Sequence, residues 1–400
     1  MGRKIFTEDR MKLITVIFLM MASFNTFASK AKVEALGQRS WGSNYIESDR
    51  LTFINPANLM DFNNYVVAEW GSQNSTVAAQ SDKEGQENGE GGVFVKDGQF
   101  NYGVYLGNES NDAYILKAMS GISAVTRPML NRVEVYVAKE QRFKTGLGLW
   151  VAHGSDEQSV TAKSITQTSL GIKLGIKDKK FRAGLVQGIL EKNKGTTSST
   201  IGYEAEFNGK FMSMLNGGYD LSDRLSLIGE FIRVAGEVEK STPENLNGKL
   251  TLDNHFVGVG YKIHQKEGVN IYTDLTFRYI NFNFDTTAHR QAVQNVVGNL
   301  DTALAASELA GTQVYVPLNI AAEVNATSWM AFRGAITQRL WGYDKEVSGD
   351  KITKKKGRII TAGMGLKFKN LDIDGLIQDR ENAQLGSNDI ISRVAATYYW

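Results

Sequence analysis

The sequence predicts an all-β fold: a transmembrane antiparallel β-barrel of about 14–16 strands with a short N-terminal hatch-like segment. Three observations support this prediction: a secretory signal at the N-terminus, segments in which apolar and polar residues alternate, and a last strand that ends in aromatic residues. The 400 residues include 40 glycines and only 4 prolines, which suits many short strands joined by tight turns. No linker-like stretch divides the chain, so we expect one domain.

The N-terminus has the pattern of a cleavable export signal. Lys12 precedes the apolar run Leu13–Met21, and Thr26-Phe27-Ala28 is a fair cleavage site. The apolar run is too short for a membrane-spanning helix, which needs about 20 residues. We therefore interpret residues 1–28 as a signal peptide and expect export to the outer membrane of a Gram-negative-type bacterium. The sequence leaves open whether translation starts at Met1 or Met11.

The charge and cysteine content exclude several classes of function. The formal charge of +2 falls to 0 when the signal, with four basic and two acidic residues, is removed. No basic patch with interleaved aromatic residues is present, so we expect no nucleic-acid partner. The chain has no cysteine and 4 scattered histidines, and their spacing is not that of a metal site. We therefore expect no metal and no cofactor.

The last strand shows the alternation most clearly. Every second residue from Ile390 to Trp400 shares one face, with Tyr398 and Trp400 on the side predicted to meet lipid and Tyr399 on the side of the lumen. Tyr and Trp favour the membrane interface. We expect Tyr398 and Trp400 to contact outer-membrane lipids there, and the terminal aromatic residue to be recognised by the barrel-assembly machinery.

Short and long connections alternate along the chain, as a barrel with tight periplasmic turns and longer outer loops requires. This pattern predicts 16 strands, or 14 if one hairpin near 92–107 is merged. The predicted short turns lie near 96–98, 141–144, 178–180, 222–224, 264–268, 326–328 and 370. The longest loop, 285–312, has helical spacing of apolar residues between His289 and Leu309. We interpret it as a short helix that either narrows the channel as a lid or plug, or packs on neighbouring loops.

The segment before the first predicted strand, Tyr65–Gly71, contains Asn55-Pro56-Ala57. With this motif the sequence resembles the outer-membrane long-chain fatty-acid and hydrocarbon transporters (FadL-like) and the wider group of porin-type barrels that share it. The resemblance implies a barrel whose N-terminal segment forms a small hatch inside the lumen and whose members pass hydrophobic molecules by diffusion. It implies that residues 29–62 are the hatch, with Asn55, Pro56 and Ala57 as its motif, and that residues 63–400 form the barrel.

The polar faces of the strands predict a charged lumen, because a charged side chain facing lipid would cost about 2–4 kcal/mol at mid-depth. The predicted lumen-lining residues are Glu69, Glu134, Lys173, Arg182, Glu230, Asp274, Arg278, Glu323, Arg333, Arg339, Lys367 and Arg393. Such a lumen favours small polar solutes, whereas the family resemblance favours hydrophobic ones. The alternative is that the charges pair across a packed lumen and only stabilise the barrel.

The predicted function is passive transport of small or hydrophobic molecules through an outer-membrane channel, without enzymatic activity. One alternative is a structural or surface-interaction barrel that only displays its loops. A less favoured alternative is a lipid hydrolase, because His153 and Ser155 lie two residues apart and so share one face of a predicted strand. No asparagine follows at the position where a hydrolase of this kind would need one to orient the histidine.

Overall fold

The computed structural model describes most of the chain after the predicted signal peptide. The described residues are 29–39, 41–62, 64–71, 88–108, 132–158, 163–197, 203–241, 246–266, 268–284, 312–345, 352–353, 357–378 and 393–400. The predicted signal peptide and the predicted helix His289–Leu309 therefore lie outside the described residues.

Within the described ranges, seventeen strands form one sheet, and its first and last strands pair with each other. Their bounds are β1 Tyr65–Gly71, β2 Asn88–Asp97, β3 Phe100–Leu106, β4 Val133–Glu140, β5 Lys144–Gln158, β6 Lys163–Lys177, β7 Phe181–Thr197, β8 Tyr203–Asp220, β9 Leu225–Ser241, β10 Leu246–Lys266, β11 Val269–Phe284, β12 Thr312–Asn325, β13 Met330–Lys345, β14 Ile352–Thr353, β15 Arg358–Phe368, β16 Leu371–Gln378 and β17 Arg393–Tyr399. Every pairing is antiparallel. The sheet is thus a closed barrel.

The wall has sixteen strand positions, because the two-residue β14 and the longer β15 both pair with β13 and share one position. The prediction of an all-β barrel of this size is confirmed, and the hairpin near 92–107 is present as β2 and β3. Each predicted short turn separates two consecutive strands of the wall. Residues with positive φ occur in these turns, including Gly98 at 57° and Gly268 at 80°, a conformation that glycine adopts without steric cost.

The outer face of the wall is apolar. Large hydrophobic side chains such as Leu149, Leu215, Val257 and Ile336 point outward and are exposed. Exposed aromatic side chains lie close to the short-turn end of the barrel: Phe100, Tyr102, Tyr219, Tyr261, Trp329, Phe332, Phe368, Tyr398 and Trp400. An apolar band bordered by aromatic residues is typical of a barrel that spans a membrane with its strands. Among the described residues, no helix is long and apolar enough to cross a membrane.

The N-terminal segment, residues 29–62, is the part of the described chain that does not belong to the wall. It contains the helix α1, Lys30–Ala35, and two 3-10 helices, Asp49–Phe53 and Pro56–Asp61. Most of its side chains are buried. It makes contacts with β3 to β6 on one side of the barrel and with β13 and β15 to β17 on another. A buried segment that contacts a closed wall on different sides lies inside it.

Candidate functional site inside the barrel

The site is the barrel interior, where the N-terminal segment meets the wall. Its central motif is Asn55-Pro56-Ala57. The side-chain Oδ1 of Asn55 accepts a hydrogen bond from the backbone N–H of Ala57 (3.1 Å), and its Nδ2 donates to the carbonyl of Ile176 on β6 (3.3 Å). Asn55 therefore caps the second 3-10 helix and ties it to the wall. Pro56 fits the first position of that helix because a residue there needs no N–H donor.

A row of glycines on three neighbouring strands makes room for the motif. Gly146 pairs with Gly175, and Gly175 pairs with Gly184. A Cβ atom at any of the three would overlap the segment, and at Gly175 it would meet Oδ1 of Asn55. The absence of side chains along this row lets the backbone of the motif lie directly against the wall.

Two asparagines of the wall satisfy carbonyl groups of the N-terminal segment. Nδ2 of Asn216 on β8 donates to the carbonyl of Ile54 (3.0 Å). Nδ2 of Asn101 on β3 donates to the carbonyls of Leu59 (2.6 Å) and Phe62 (3.1 Å). Buried carbonyl groups need such partners, so these contacts fix the segment on opposite sides of its motif.

Buried ion pairs join the segment to the first two strands. Nη1 of Arg50 lies 3.5 Å from Oε1 of Glu69 on β1 and 3.4 Å from Oε1 of Glu90 on β2. Nζ of Lys30 lies 3.2 Å from the same oxygen of Glu90. Nη1 of Arg50 also donates to the hydroxyl of Tyr105 (3.0 Å). Positive charges from the segment thus meet negative charges from the wall.

A second ionic group holds α1 on the other side of the barrel. Arg333 lies between Glu323 and Asp374, with both ion pairs at 2.6 Å. Lys32 adds a contact to Glu323 at 3.2 Å. At the end of α1, Arg393 lies 3.1 Å from Glu34, which is a further pair between wall and segment.

The middle of the segment is held by β9 and β11. Arg39 forms an ion pair with Glu230, and the hydroxyl of Tyr45 donates to Oδ2 of Asp274 (2.8 Å). Gln38 donates to the same oxygen (3.1 Å). Burial raises the pKa of Tyr45, and the carboxylate of Asp274 raises it further, so Tyr45 remains a neutral hydrogen-bond donor.

The structure places most of the predicted lumen residues in contact with the segment or with each other. Lys173 and Arg132 both pair with Glu134, at 2.7 and 2.6 Å. Arg182 pairs with Asp220 at 2.9 Å and also donates to the carbonyl of Asn44. The guanidinium of Arg278 lies over the ring of Phe256, and that of Arg339 lies over the ring of Tyr315. Lys367 is half-buried. The alternative in which the luminal charges pair therefore describes this interior better than a row of free charges.

Sequence reasoning missed an apolar area on the inner wall. Val186, Met214 and Ile232 are cross-strand neighbours on β7, β8 and β9, and so are Met212, Val234 and Leu252 on β8, β9 and β10. These six side chains, here called the apolar inner patch, share the inward face with Gly184, Asn216 and Glu230, and all are buried. The patch lies beyond those residues, toward the long-loop end. Its sequence signal is the repeat of Met212, Met214 and Asn216 on one face.

The aromatic residues at the C-terminus lie on opposite faces of the wall. Tyr398 and Trp400 are exposed on the outer face, whereas Tyr399 is partly buried inside, with its ring centroid 6.3 Å from that of Tyr65. Tyr65 in turn stacks on Phe94 at 4.5 Å. Tyr399 thus contributes to an aromatic cluster that the N-terminal segment covers with Phe53.

The described side chain of the hydrolase alternative, His153, lies away from this interior. His153 is exposed on the outer face of β5, and its Nδ1 lies 2.9 Å from Oγ1 of Thr168. The side chain of Ser155 lies outside the described residues. Within the part of the chain that the structure describes, no group of three His, Cys, Asp or Glu residues could hold a metal ion.

Comparison with known proteins finds similar solved structures only. No family model matches the sequence, and no curated protein matches it. The fold is similar to the CymD monoaromatic hydrocarbon channel (8% identity, TM-score 0.41, 94% of this chain and 99% of that chain covered). It is also similar to a FadL homologue of Pseudomonas aeruginosa (10% identity, TM-score 0.43, 94% of this chain and 98% of that chain covered). A third similar structure is the toluene transporter TodX of Pseudomonas putida (12% identity, TM-score 0.38, 94% of this chain and 96% of that chain covered).

Proposed function

We propose that the protein is an outer-membrane channel for the passive transport of small molecules, with residues 29–62 as its hatch. One observation carries the proposal: a separate segment lies inside the closed barrel and is held by side chains from around the wall. A wall of sixteen strands encloses more space than its own side chains fill. A segment that occupies this space closes a passage, and its release opens one.

Small hydrophobic molecules are the solutes that we favour. Two features support this choice. The luminal charges that would attract polar or ionic solutes are largely paired. The apolar inner patch, by contrast, places buried hydrophobic side chains on a face that is usually polar in a channel barrel. Met212 and Met214 suit such a role, because methionine side chains adapt to ligands of different shape.

The proposed hatch is tested by loosening its contact with the wall. Gly175→Val places a side chain where Oδ1 of Asn55 now lies, whereas Gly229→Val is the matched change on the outer face, where a Cβ meets its first neighbour at 3.5 Å. Purified wild type and both variants are compared in planar lipid bilayers. We expect stepwise conductance from all three, with a higher open probability for Gly175→Val.

The result that would overturn the channel proposal is equally clear. If wild type and Gly175→Val were both silent, while both kept the heat-modifiable gel mobility of a folded barrel, the protein would not be a channel closed by this segment. That outcome would favour the alternative of a barrel that only displays its loops.

A further inference from the structure

Ser29, the predicted first residue of the exported chain, is buried inside the barrel. It is 1% exposed. Its Oγ donates to Oδ2 of Asp374 (2.7 Å) and accepts a hydrogen bond from the backbone N–H of Lys32 (3.2 Å), so it caps α1 and ties it to β16.

The carboxylates around Ser29 have unused acceptor atoms. Oε1 of Glu69 accepts a hydrogen bond from the backbone N–H of Lys30 (3.2 Å). Oε2 of Glu69 and Oδ1 of Asp49 are buried and have no hydrogen-bond partner. The backbone nitrogen of Ser29 precedes that of Lys30 by one residue and so lies within about 4 Å of it. A donor group at this nitrogen is well placed to reach Glu69.

Several carboxyl groups share these surroundings with the cations Lys30, Arg50 and Arg393. Burial raises the pKa of Asp49 to about 8, and repulsion by Glu69 and Asp374 contributes in the same direction although Arg50 opposes it. Three carboxyl groups thus lie close enough to disfavour one another's charge. A further cation between them would relieve this repulsion.

We propose that cleavage of the Ala28–Ser29 bond supplies this cation: the new α-ammonium group of Ser29 binds between the carboxylates of Glu69 and Asp374 and seats the hatch. Hydrolysis adds one water across the peptide bond, leaving a carboxylate on Ala28 and an amine on Ser29, which takes up a proton. The neutral amide with one N–H donor becomes a cation with three. The hatch therefore makes its full set of contacts with the wall only in the processed chain, whatever solute the barrel passes.

The test uses protein that is expressed from the complete 400-residue sequence and purified from membranes. Its intact mass should correspond to a chain that starts at Ser29. The folded protein and an unfolded sample are then treated with an amine-selective N-hydroxysuccinimide ester near pH 7, and labelling of the N-terminal peptide is measured. An ammonium held by carboxylates keeps its proton, so we expect the folded α-amine to react roughly tenfold more slowly.

Three variants separate ion pairing from burial alone. Glu69→Gln and Asp374→Asn should each restore labelling of the folded α-amine by several-fold. Asp61→Asn is the matched control in the same segment, because Asp61 binds Lys144 and Lys177 at the short-turn end, and it should leave labelling unchanged. The proposal would be overturned if the purified chain started at another residue or if the folded wild type were labelled as fully as the unfolded sample. Equal protection in all variants would overturn it as well. None of these measurements depends on channel activity.

Discussion

The guanidinium group of Arg50 in the proposed hatch lies 3.5 Å from Oε1 of Glu69 on β1 and also reaches Glu90 on β2. All three side chains are buried. A buried charge is stable only while its partners remain, because desolvation is costly and mutual attraction must offset it. We therefore expect the loss of Arg50 to weaken the contact between the hatch and the wall strongly.

Arg50→Gln should therefore loosen the hatch strongly. The variant removes Arg50 from two buried carboxylates, of which Glu90 keeps its contact with Lys30, and removing one partner of a buried ion pair costs about 3–5 kcal/mol. Limited proteolysis of residues 29–62 in the detergent-solubilised protein measures the effect as faster cleavage. In the double variant Arg50→Gln/Glu90→Gln, the cleavage rate should rise less than the summed effects of the two single changes would predict. Strict additivity would show that these side chains do not interact.

Asn55→Ala should destabilise the second 3-10 helix. The change removes the cap on Ala57 and the bond to the carbonyl of Ile176, and the loss of a helix cap costs about 0.5–2 kcal/mol. Hydrogen–deuterium exchange of Pro56–Asp61 should become faster. Asn55→Asp keeps the hydrogen-bond acceptor but loses the donor. Its exchange rate should therefore lie between those of wild type and Asn55→Ala. Equal exchange in all three proteins would argue against a role of this side chain in seating the hatch.

The apolar inner patch predicts a change in solute preference. Met212→Ser/Met214→Ser makes the patch polar, so uptake of labelled toluene or a long-chain fatty acid by intact cells should fall several-fold. Met364→Ser is the matched control, since Met364 lies on the outer face. The swelling rate of proteoliposomes in solutions of small sugars, which reports the passage of polar solutes, should not fall in the double variant or in Met364→Ser. Unaltered hydrophobic uptake in the double variant would exclude the patch from the path of the solute.

The two faces of the last strand predict different defects. Trp400→Ala removes the terminal aromatic residue on the outer face, and we expect several-fold less assembled barrel in the outer membrane because recognition by the assembly machinery is weakened. Tyr399→Ala removes an inward contact with Tyr65 and should loosen the hatch while assembly stays near normal. Heat-modifiable gel mobility measures assembly in both. The same assembly defect in both variants would mean that the faces do not act separately.

Alternation along single strands was enough to predict much of the fold. In β17, the exposed Tyr398 and the inward Tyr399 follow directly from the two-residue period of a strand. The turn residues Gly98 and Gly268 mark where strands reverse. These features are local, so a single sequence contains them. The first strand also begins and ends where the sequence predicts, at Tyr65 and Gly71.

The interior of the barrel could be predicted only in part, because its contacts join residues far apart in the chain. The sequence predicts that Arg333 points inward, yet its partner Asp374 depends on which strands adjoin across the wall. For this reason Arg333→Glu/Arg339→Glu, a natural test of ion selectivity for a lumen of free charges, would instead break a buried pair. The apolar inner patch was missed because β8 is apolar on both faces, with Met214 inside and Leu215 outside, so composition does not tell one face from the other.

The central claim, that residues 29–62 must move for solute to pass, can be tested by locking the hatch to the wall. The chain has no cysteine, and a Cβ atom at Gly363 would lie 2.6 Å from that of Ala35 in α1. Because the Cβ atoms of a disulfide lie about 3.5–4.5 Å apart, Ala35→Cys/Gly363→Cys can form one after α1 shifts by about 1–2 Å from the wall, and the single variant Gly363→Cys controls for that shift. Conductance and uptake of a hydrophobic solute are measured in the oxidised and reduced forms, with each single cysteine variant as a control. We predict that the disulfide suppresses both activities and that reduction restores them. Full cross-linking with undiminished conductance and uptake would contradict the account.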